Sequence, residues 1–267
     1  MSLFHDQMNR SIFLEKPPLR IVSIVPSQTE LLFDLGLGDR VVGITKFCIH
    51  PHQWYRQKKR IGGTKNLNIE QIKQLKPDLI IGNKEENTAT DIIELEQFFP
   101  VWMSDIYTLQ DVYLMINSIG QLLDVAQASQ ELIYKMQTAF KEIEDTRHLQ
   151  KKLKTLYFIW QDPYMVAAQN TFIDHVLKLA GLDNAASHLQ RYPTLTKNTI
   201  HALEPELILL SSEPYPFKQK HLQYFSNLYE KVPVHIVDGE LFSWYGSRLL
   251  QTPAYLKKLR LKLADLT

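Results

Sequence analysis

The chain has 267 residues, 45% of them apolar, and its 30 basic side chains nearly cancel its 29 acidic ones to leave a formal charge of +1. That length and apolar content support two medium-sized cores, and the balanced charge gives no electrostatic reason to expect nucleic acid or an anionic membrane as partner. The single cysteine, Cys48, excludes an intramolecular disulfide and a multi-cysteine metal site, and no apolar run approaches the ~20 residues of a membrane span.

Residues 1–20 are polar and carry Pro17-Pro18. They hold no apolar export segment, so the chain as written is expected in the cytoplasm, or in the periplasm if a leader has been trimmed from it. Residues 20–25 read as a first buried strand, broken by Pro26. Ser27 and Glu30 have the spacing of a capping box, Leu31, Leu32 and Leu35 form an apolar face, and Gly36 is a natural helix stop. Residues 41–45 form a second strand. Asn68 caps a helix that runs to Leu75, and a strand follows at 79–81. A helix over 90–98, a strand over 101–103 and a helix from Thr108 come next. Strands alternating with helices at this spacing predict a parallel α/β sheet.

From 124 to 148 the pattern changes. No Gly or Pro occurs, and Val125, Leu132, Ile133, Met136, Phe140 and Ile143 recur at steps of three, four and seven. This is one long amphipathic helix, over ~30 Å in length, expected to join two lobes as a strut. The alternation then restarts with a strand at 156–160, a helix at 171–180 stopped by Gly181, a short helix at 199–203, and strands at 207–210 and 234–237. A mostly helical tail, interrupted at Pro253, covers 246–266.

An internal repeat supports two halves. Leu75-Lys76-Pro77-Asp78-Leu79-Ile80-Ile81 returns, nearly half the chain later, as Leu203-Glu204-Pro205-Glu206-Leu207-Ile208-Leu209. Each copy ends a helix, breaks it at proline, places an acid and enters an aliphatic strand. Proline cannot continue a helix and pushes the residue before it toward extended geometry, so each reads as a helix-to-strand turn. The expected fold is α/β, with two similar parallel-sheet lobes at 1–123 and 149–267, the bridging helix at 124–148, and a ligand cleft between the lobes.

Several stretches resemble the helical-backbone substrate-binding proteins of ABC importers, which receive cobalamin, haem and ferric siderophores. The resemblance runs from Arg20 through Ser27-Gln28-Thr29-Glu30-Leu31-Leu32, on through Gly36-Leu37-Gly38-Asp39-Arg40-Val41-Val42-Gly43, Gly62-Gly63 and Lys76-Pro77-Asp78. It resumes at Thr171-Phe172-Ile173, Leu179-Ala180-Gly181, Tyr192-Pro193 and Phe242-Ser243-Trp244-Tyr245-Gly246-Ser247-Arg248. The cobalamin-receptor branch is the most similar. The resemblance implies two α/β lobes on one long helix, a shallow cleft, little hinge closure and delivery of ligand to a permease.

In open α/β sheets, ligands sit beyond the carboxyl ends of the strands. This rule selects Ser27 and Gln28, then Phe47, His50 and Trp54, then Gly63 and Asn87 in the first half. In the second half it selects Trp160, Tyr164, Tyr215, Phe217, Phe242, Trp244, Tyr245 and Arg248. The rings among these suit a flat macrocycle, which needs apolar walls and a few hydrogen bonds. The plain alternative is that about half of them pack beneath loops. Trp244 and Tyr245 are expected to wall the cleft, partly exposed. His50-Pro51-His52 offers two imidazoles where a mononuclear metal site needs three or four ligands, so no metal site is expected. Cys48 reads as a small buried hydrophobe. The resemblance implies one docking glutamate per lobe, which points to Glu85 or Glu86 and to Glu213 as exposed acids facing a permease.

No nucleophile elbow, phosphate-cradling loop or dinucleotide fingerprint occurs, which argues against an enzyme. The expected function is binding of a metal-chelate macrocycle, cobalamin or another corrinoid first, then haem or a ferric siderophore, for ABC-type import. Alternatives are a cytoplasmic cofactor carrier or sensor without a transporter, and a two-lobed, chelatase-like enzyme. The expected state is a monomer without an intrinsic cofactor.

Overall fold

A computed structural model of the chain describes residues 2–146 and 152–264. It divides into two compact units, one of Met1–Lys135 with Tyr245–Arg248 and the other of Met136–Trp244 with Leu249–Thr267. Among the described residues, no helix is long and apolar enough to cross a membrane.

The first unit opens with an antiparallel hairpin, β1 (Ser2–His5) and β2 (Ser11–Leu14). Then come β3 (Ile21–Ser23), α1 (Pro26–Asp34), β4 (Val41–Ile44), α2 (His52–Gln57), β5 (Lys59–Arg60), the short pair β6 (Gly62–Gly63) and β7 (Asn66–Leu67), α3 (Ile69–Leu75), β8 (Leu79–Asn83), α4 (Ala89–Glu96), β9 (Val101–Ser104) and α5 (Leu109–Leu122). The sheet has the order β5-β4-β3-β8-β9, parallel throughout. All five residues of β8 are buried, as expected of a central strand covered on both faces.

Helix α6 (Ala126–Thr146) follows, its Leu132, Ile133, Met136, Phe140 and Ile143 buried as the periodicity predicts. Residues 147 and 148 of the expected helix lie outside the described residues. The second unit continues with β10 (Lys154–Trp160), β11 (Tyr164–Val166), α7 (Phe172–Leu179), β12 (Asp183–Asn184), β13 (Thr194–Leu195), α8 (Lys197–Ala202), β14 (Leu207–Ser211), α9 (Gln219–Leu228), β15 (Val234–Val237), α10 (Glu240–Ser243), a 3-10 turn (Ser247–Leu250) and α11 (Thr252–Ala264). Pro253 lies in the first turn of α11 and starts that helix rather than interrupting a longer one. Residues 265 and 266 of the expected tail helix are outside the described residues.

The second sheet is mixed rather than wholly parallel. Strands β12, β10, β14 and β15 run parallel, but β11 is added antiparallel to β10, and β13 antiparallel to β11. The turn from Trp160 to Tyr164 is too short for a crossover, so the chain can only fold back on itself. The parallel strands of both units follow one pattern. The first parallel strand in sequence is central, β3 lying between β4 and β8 with β9 beyond β8, and β10 between β12 and β14 with β15 beyond β14.

The repeat is a true structural equivalence. Lys76 (φ 46°) and Glu204 (φ 47°) both take the left-handed conformation, where the sequence reading expected extended backbone. That conformation closes the helix before it, as glycine more often does. Asp78 Oδ2 then accepts the Leu19 and Arg20 amides at 2.9 and 3.0 Å, and Glu206 Oε2 accepts the Lys154 amide at 2.9 Å. Each acid thereby pins the start of the neighbouring first strand.

The expected capping box at Ser27 does not form. Helix α1 begins at Pro26 behind Val25, without a side-chain cap. Asn68 and Thr108 do cap α3 and α5, accepting the Gln71 and Asp111 amides.

Gly120 on α5 lies against Ser129 on α6, where an added Cβ would be 1.9 Å from Ser129 Oγ and 2.6 Å from its Cβ. In an exposed helix Gly→Ala stabilises by about 1 kcal/mol. At Gly120 the sign should reverse, with a loss of ~1–3 kcal/mol from overpacking. Urea melts of Gly120→Ala, and of the double variant with Ser129→Gly, test this. Recovery of stability in the double variant is the expected result.

Candidate functional site

At the carboxyl edge of the first sheet, several side chains expected at a ligand are instead buried parts of the scaffold. Gln28 is fully buried, and its Nε2 donates to the Gly82 carbonyl (3.1 Å) and to Ser104 Oγ (2.7 Å). Asn87 is also buried. It accepts the Asn83 amide at 2.8 Å and donates to the carbonyls of Ile24 (3.2 Å) and Thr64 (3.1 Å), tying three loops together. Ser27 is buried, with its carbonyl held so close to Gly246 that a Cβ there would lie 2.7 Å away. Trp54, only 2% exposed, is a core ring set edge-on to Phe33 at 5.2 Å. None of these four presents a polar or aromatic face outward.

What this edge does expose is Phe47, at 51%, and Ile49. The Phe47 ring lies across Gly63, where a Cβ would meet it at 3.0 Å, so that glycine is needed for close approach. His50 is half-buried beside them. Cys48 is buried between the hydroxyls of Thr29 and Thr45, each 3.1 Å from Sγ, and burial pushes its thiol upward, away from reactivity. Among the described residues no cluster of three metal-ligating side chains occurs.

The carboxyl edge of the second sheet is aromatic. Trp160 ends β10 and is 38% exposed, and its ring meets Tyr215 edge-on at 5.2 Å. Tyr215 comes from the loop after β14, so the contact spans the point where the order of strands reverses, the usual ligand crevice of such sheets. Half-buried Tyr164 bonds through its hydroxyl to that of Tyr224 on α9 at 2.6 Å. Burial first, then Tyr224, raises the Tyr164 phenol. Phe217 is buried beneath this layer, 4.7 Å from Tyr215, and belongs to the core with Phe158 and Phe225. Trp160, Tyr164, Tyr215 and Tyr224 therefore form one partly exposed wall on a packed aromatic base.

Tyr224 and His221 were not singled out from sequence. The signal for them was present, since His221, Tyr224, Phe225 and Leu228 fall on one face of α9 at steps of three and four.

Residues 242–248 depart most from expectation. Phe242 is fully buried, 5.0 Å from Tyr157. Trp244 and Tyr245 are 8% and 4% exposed, not open walls. Glu213 explains Trp244: its Oε1 accepts Trp244 Nε1 at 2.7 Å and Ser243 Oγ at 3.0 Å. The carboxylate expected to face a permease thus clamps a loop of its own unit. Arg248, expected at a ligand, instead grips Glu30 through Nε (2.8 Å) and Nη2 (2.6 Å). Burial first, opposed by Arg248, leaves the Glu30 carboxyl above its ordinary value. Glu85 and Glu86 are both half-buried, with Asn83 Oδ1 accepting their amides at 2.8 and 3.1 Å. Burial and then the charge of Glu85 push Glu86 above the ordinary carboxyl range.

Comparison with known proteins gives a consistent result. A family described as periplasmic binding protein matches residues 21–227. An uncharacterized ABC transporter substrate-binding lipoprotein of Bacillus subtilis is 27% identical, over 92% of this chain and 81% of its own. The solved periplasmic vitamin B12 binding protein of Vibrio cholerae superposes with a TM-score of 0.78 at 21% identity, covering 94% of this chain and 99% of that one. The periplasmic heme-binding protein of Roseiflexus sp. RS-1 also superposes with a TM-score of 0.78 at 21% identity, over 92% and 98% of the two chains.

The Glu213 clamp makes Trp244 a stability residue. Trp244→Phe keeps most of the ring but deprives the carboxylate of its indole donor, at a cost of ~1–3 kcal/mol. Trp244→Ala adds a cavity, for a total on the order of 3–5 kcal/mol. Thermal and urea melts should rank wild type above Phe above Ala.

Proposed function

The chain belongs to the periplasmic binding protein family, and from that premise we propose that it captures a metal-chelate macrocycle, a corrinoid such as cobalamin first and haem or a ferric siderophore next, for an ABC importer. The family is one of binding proteins rather than enzymes. The observation that carries the ligand class is the wall of Trp160, Tyr164, Tyr215 and Tyr224 at the reversal point of the second sheet. Rings with hydroxyl tips offer a planar, largely apolar ligand broad contact at low entropic cost, with phenolic groups left for its polar edge. The vitamin B12- and heme-binding neighbours in fold support the same class.

Delivery to a permease belongs to this reading, since the Bacillus subtilis relative is named as an ABC transporter component and a lipoprotein. The working location is then outside the cytoplasmic membrane. The acids this reading offers for docking are Glu85, Glu86 and Glu213, of which Glu213 is engaged by Trp244 and Glu86 is disfavoured as a charge by burial.

Purified protein mixed separately with cobalamin, haem and a ferric siderophore, then desalted, should retain the visible absorption of one of them. Trp160→Ala should weaken that binding by ~2–4 kcal/mol, or roughly 30- to 1000-fold. Its melting temperature should stay close to wild type, because the ring is partly exposed. Absence of saturable binding of all three at micromolar concentration would overturn the ligand class.

A further inference from the structure

We infer that His221 is the positioning residue of the aromatic wall, and that its protonation loosens Tyr215 and makes ligand hold weaker in acid. The inference rests on the proposed binding role of that wall. His221 is the third residue of α9, 8% exposed. Its Nδ1 accepts the amide of Lys218, the residue before the helix, at 2.8 Å. An acceptor at Nδ1 requires the neutral ring with its proton on Nε2. Nε2 lies 3.3 Å from the Tyr215 hydroxyl, so it donates there, and Tyr215 in turn donates to Gln161 Oε1 at 3.4 Å. One hydrogen-bond direction therefore runs from the Lys218 amide through the imidazole and the Tyr215 phenol to the turn that follows Trp160.

The packing follows the same line. The His221 ring lies 5.3 Å from Tyr215 and 5.6 Å from Phe217, and Tyr215 is the ring that meets Trp160. The tilt of the wall is thus set by a histidine that need not touch a ligand.

A proton added from solvent goes to Nδ1 and converts that acceptor to a donor. The Lys218 amide then faces an N–H, the helix loses its cap, and the ring turns from that amide, which carries Nε2 off its line to the Tyr215 hydroxyl. The groups that act on His221 are Tyr215 and Phe217 from the preceding loop, and Lys218 and Lys220 from the start of its own helix. Burial first, then the charges of Lys220 and Lys218, holds the imidazole below its ordinary value. The sign follows. The neutral arrangement is complete above the unfolded-state value of ~6.5, and its stabilisation declines as pH falls below that toward the lower folded value.

The test uses the full chain labelled with 5-fluorotryptophan, with the Trp160 fluorine resonance assigned through Trp160→Phe and followed from pH 8 to 4.5. The wild-type Trp160 signal should shift with a midpoint below ~6.5, matched by the nitrogen-15 titration of His221, which should show the Nε2–H tautomer at pH 7.5. In His221→Gln, whose side-chain oxygen can still accept the Lys218 amide, the Trp160 signal should not respond to pH. Cyanocobalamin affinity should fall by on the order of fivefold between pH 7.5 and 5.0 in wild type, the loss of about one hydrogen bond, and stay level in His221→Gln. A pH-independent Trp160 signal in wild type, the same titration in His221→Gln, or an Nδ1–H tautomer would overturn the inference. If cyanocobalamin binds at neither pH, that ligand fails, and the fluorine and nitrogen titrations decide the role of His221 without it.

Discussion

Both units depend on one local device, an acid placed directly after a helix-ending proline. Pro77 and Pro205 stop α3 and α8, the preceding residue swings into the left-handed region, and the carboxylate of Asp78 or Glu206 takes the backbone amides where the first strand begins. A one-residue slip in a parallel sheet would invert every side chain of the strand, so a fixed starting point matters. With the starts pinned, Ile21 pairs with Leu79 in one sheet and Thr155 with Leu207 in the other. Equal pinning at one end fixes which residues emerge together at the other. This is how Trp160 and the loop after Ser211 come to stand side by side.

The two units use that shared frame differently. In the first, amides and hydroxyls of Gln28, Asn83, Asn87 and Ser104 fill the reversal point with a buried hydrogen-bonded network. Such a network is costly to disturb, because removing one member strands the others without water. It leaves Phe47 and Ile49 as the large apolar side chains exposed on the loop after β4. In the second, the same position holds rings, from the core pair Phe158 and Phe225 outward to Trp160 and Tyr224. Beneath them the Tyr157 hydroxyl donates to Ser211 Oγ at 3.1 Å, and the outer layer adds the hydroxyls of Tyr164, Tyr215 and Tyr224. The first edge is therefore closed by buried polar pairs, and the second presents half-exposed rings.

Periodicity and punctuation made most of the fold legible. The apolar stripe from Leu132 to Ile143, the cap at Asn68, the helix start at Thr108 and the repeated Pro-acid turn each have a local cause, and local causes can be read from neighbouring residues. The misses are elements without one. The β1–β2 hairpin has mostly exposed residues and no strong turn pair, and β11 exists only because a short turn returns the chain along β10. Site residues were harder, for a different reason. An aromatic residue in a loop signals that a ring is present but not which way it faces. Trp244 turns inward because Glu213, distant in sequence, offers its indole a carboxylate, whereas the Trp160 indole donates to the carbonyl of Asp162 in its own turn and stays half in solvent. Pairings across that distance leave no mark in a single sequence.

The Glu30–Arg248 pair shows the same logic carried to a charge. The guanidinium grips the carboxylate through two nitrogens, yet burial still raises the Glu30 carboxyl above its ordinary value. Desolvation works against the attraction, so the pair is poor evidence for stability. Its effect is on placement. With Gly246 pressed against the Ser27 carbonyl, it holds Tyr245–Arg248 in the first unit although the residues on either side belong to the second. A hydrophobic contact of similar size would tolerate a shifted register. Two directed hydrogen bonds do not. That explains why charged and polar residues in this segment, which looked like ligand contacts from sequence, are spent on fixing the chain's own path.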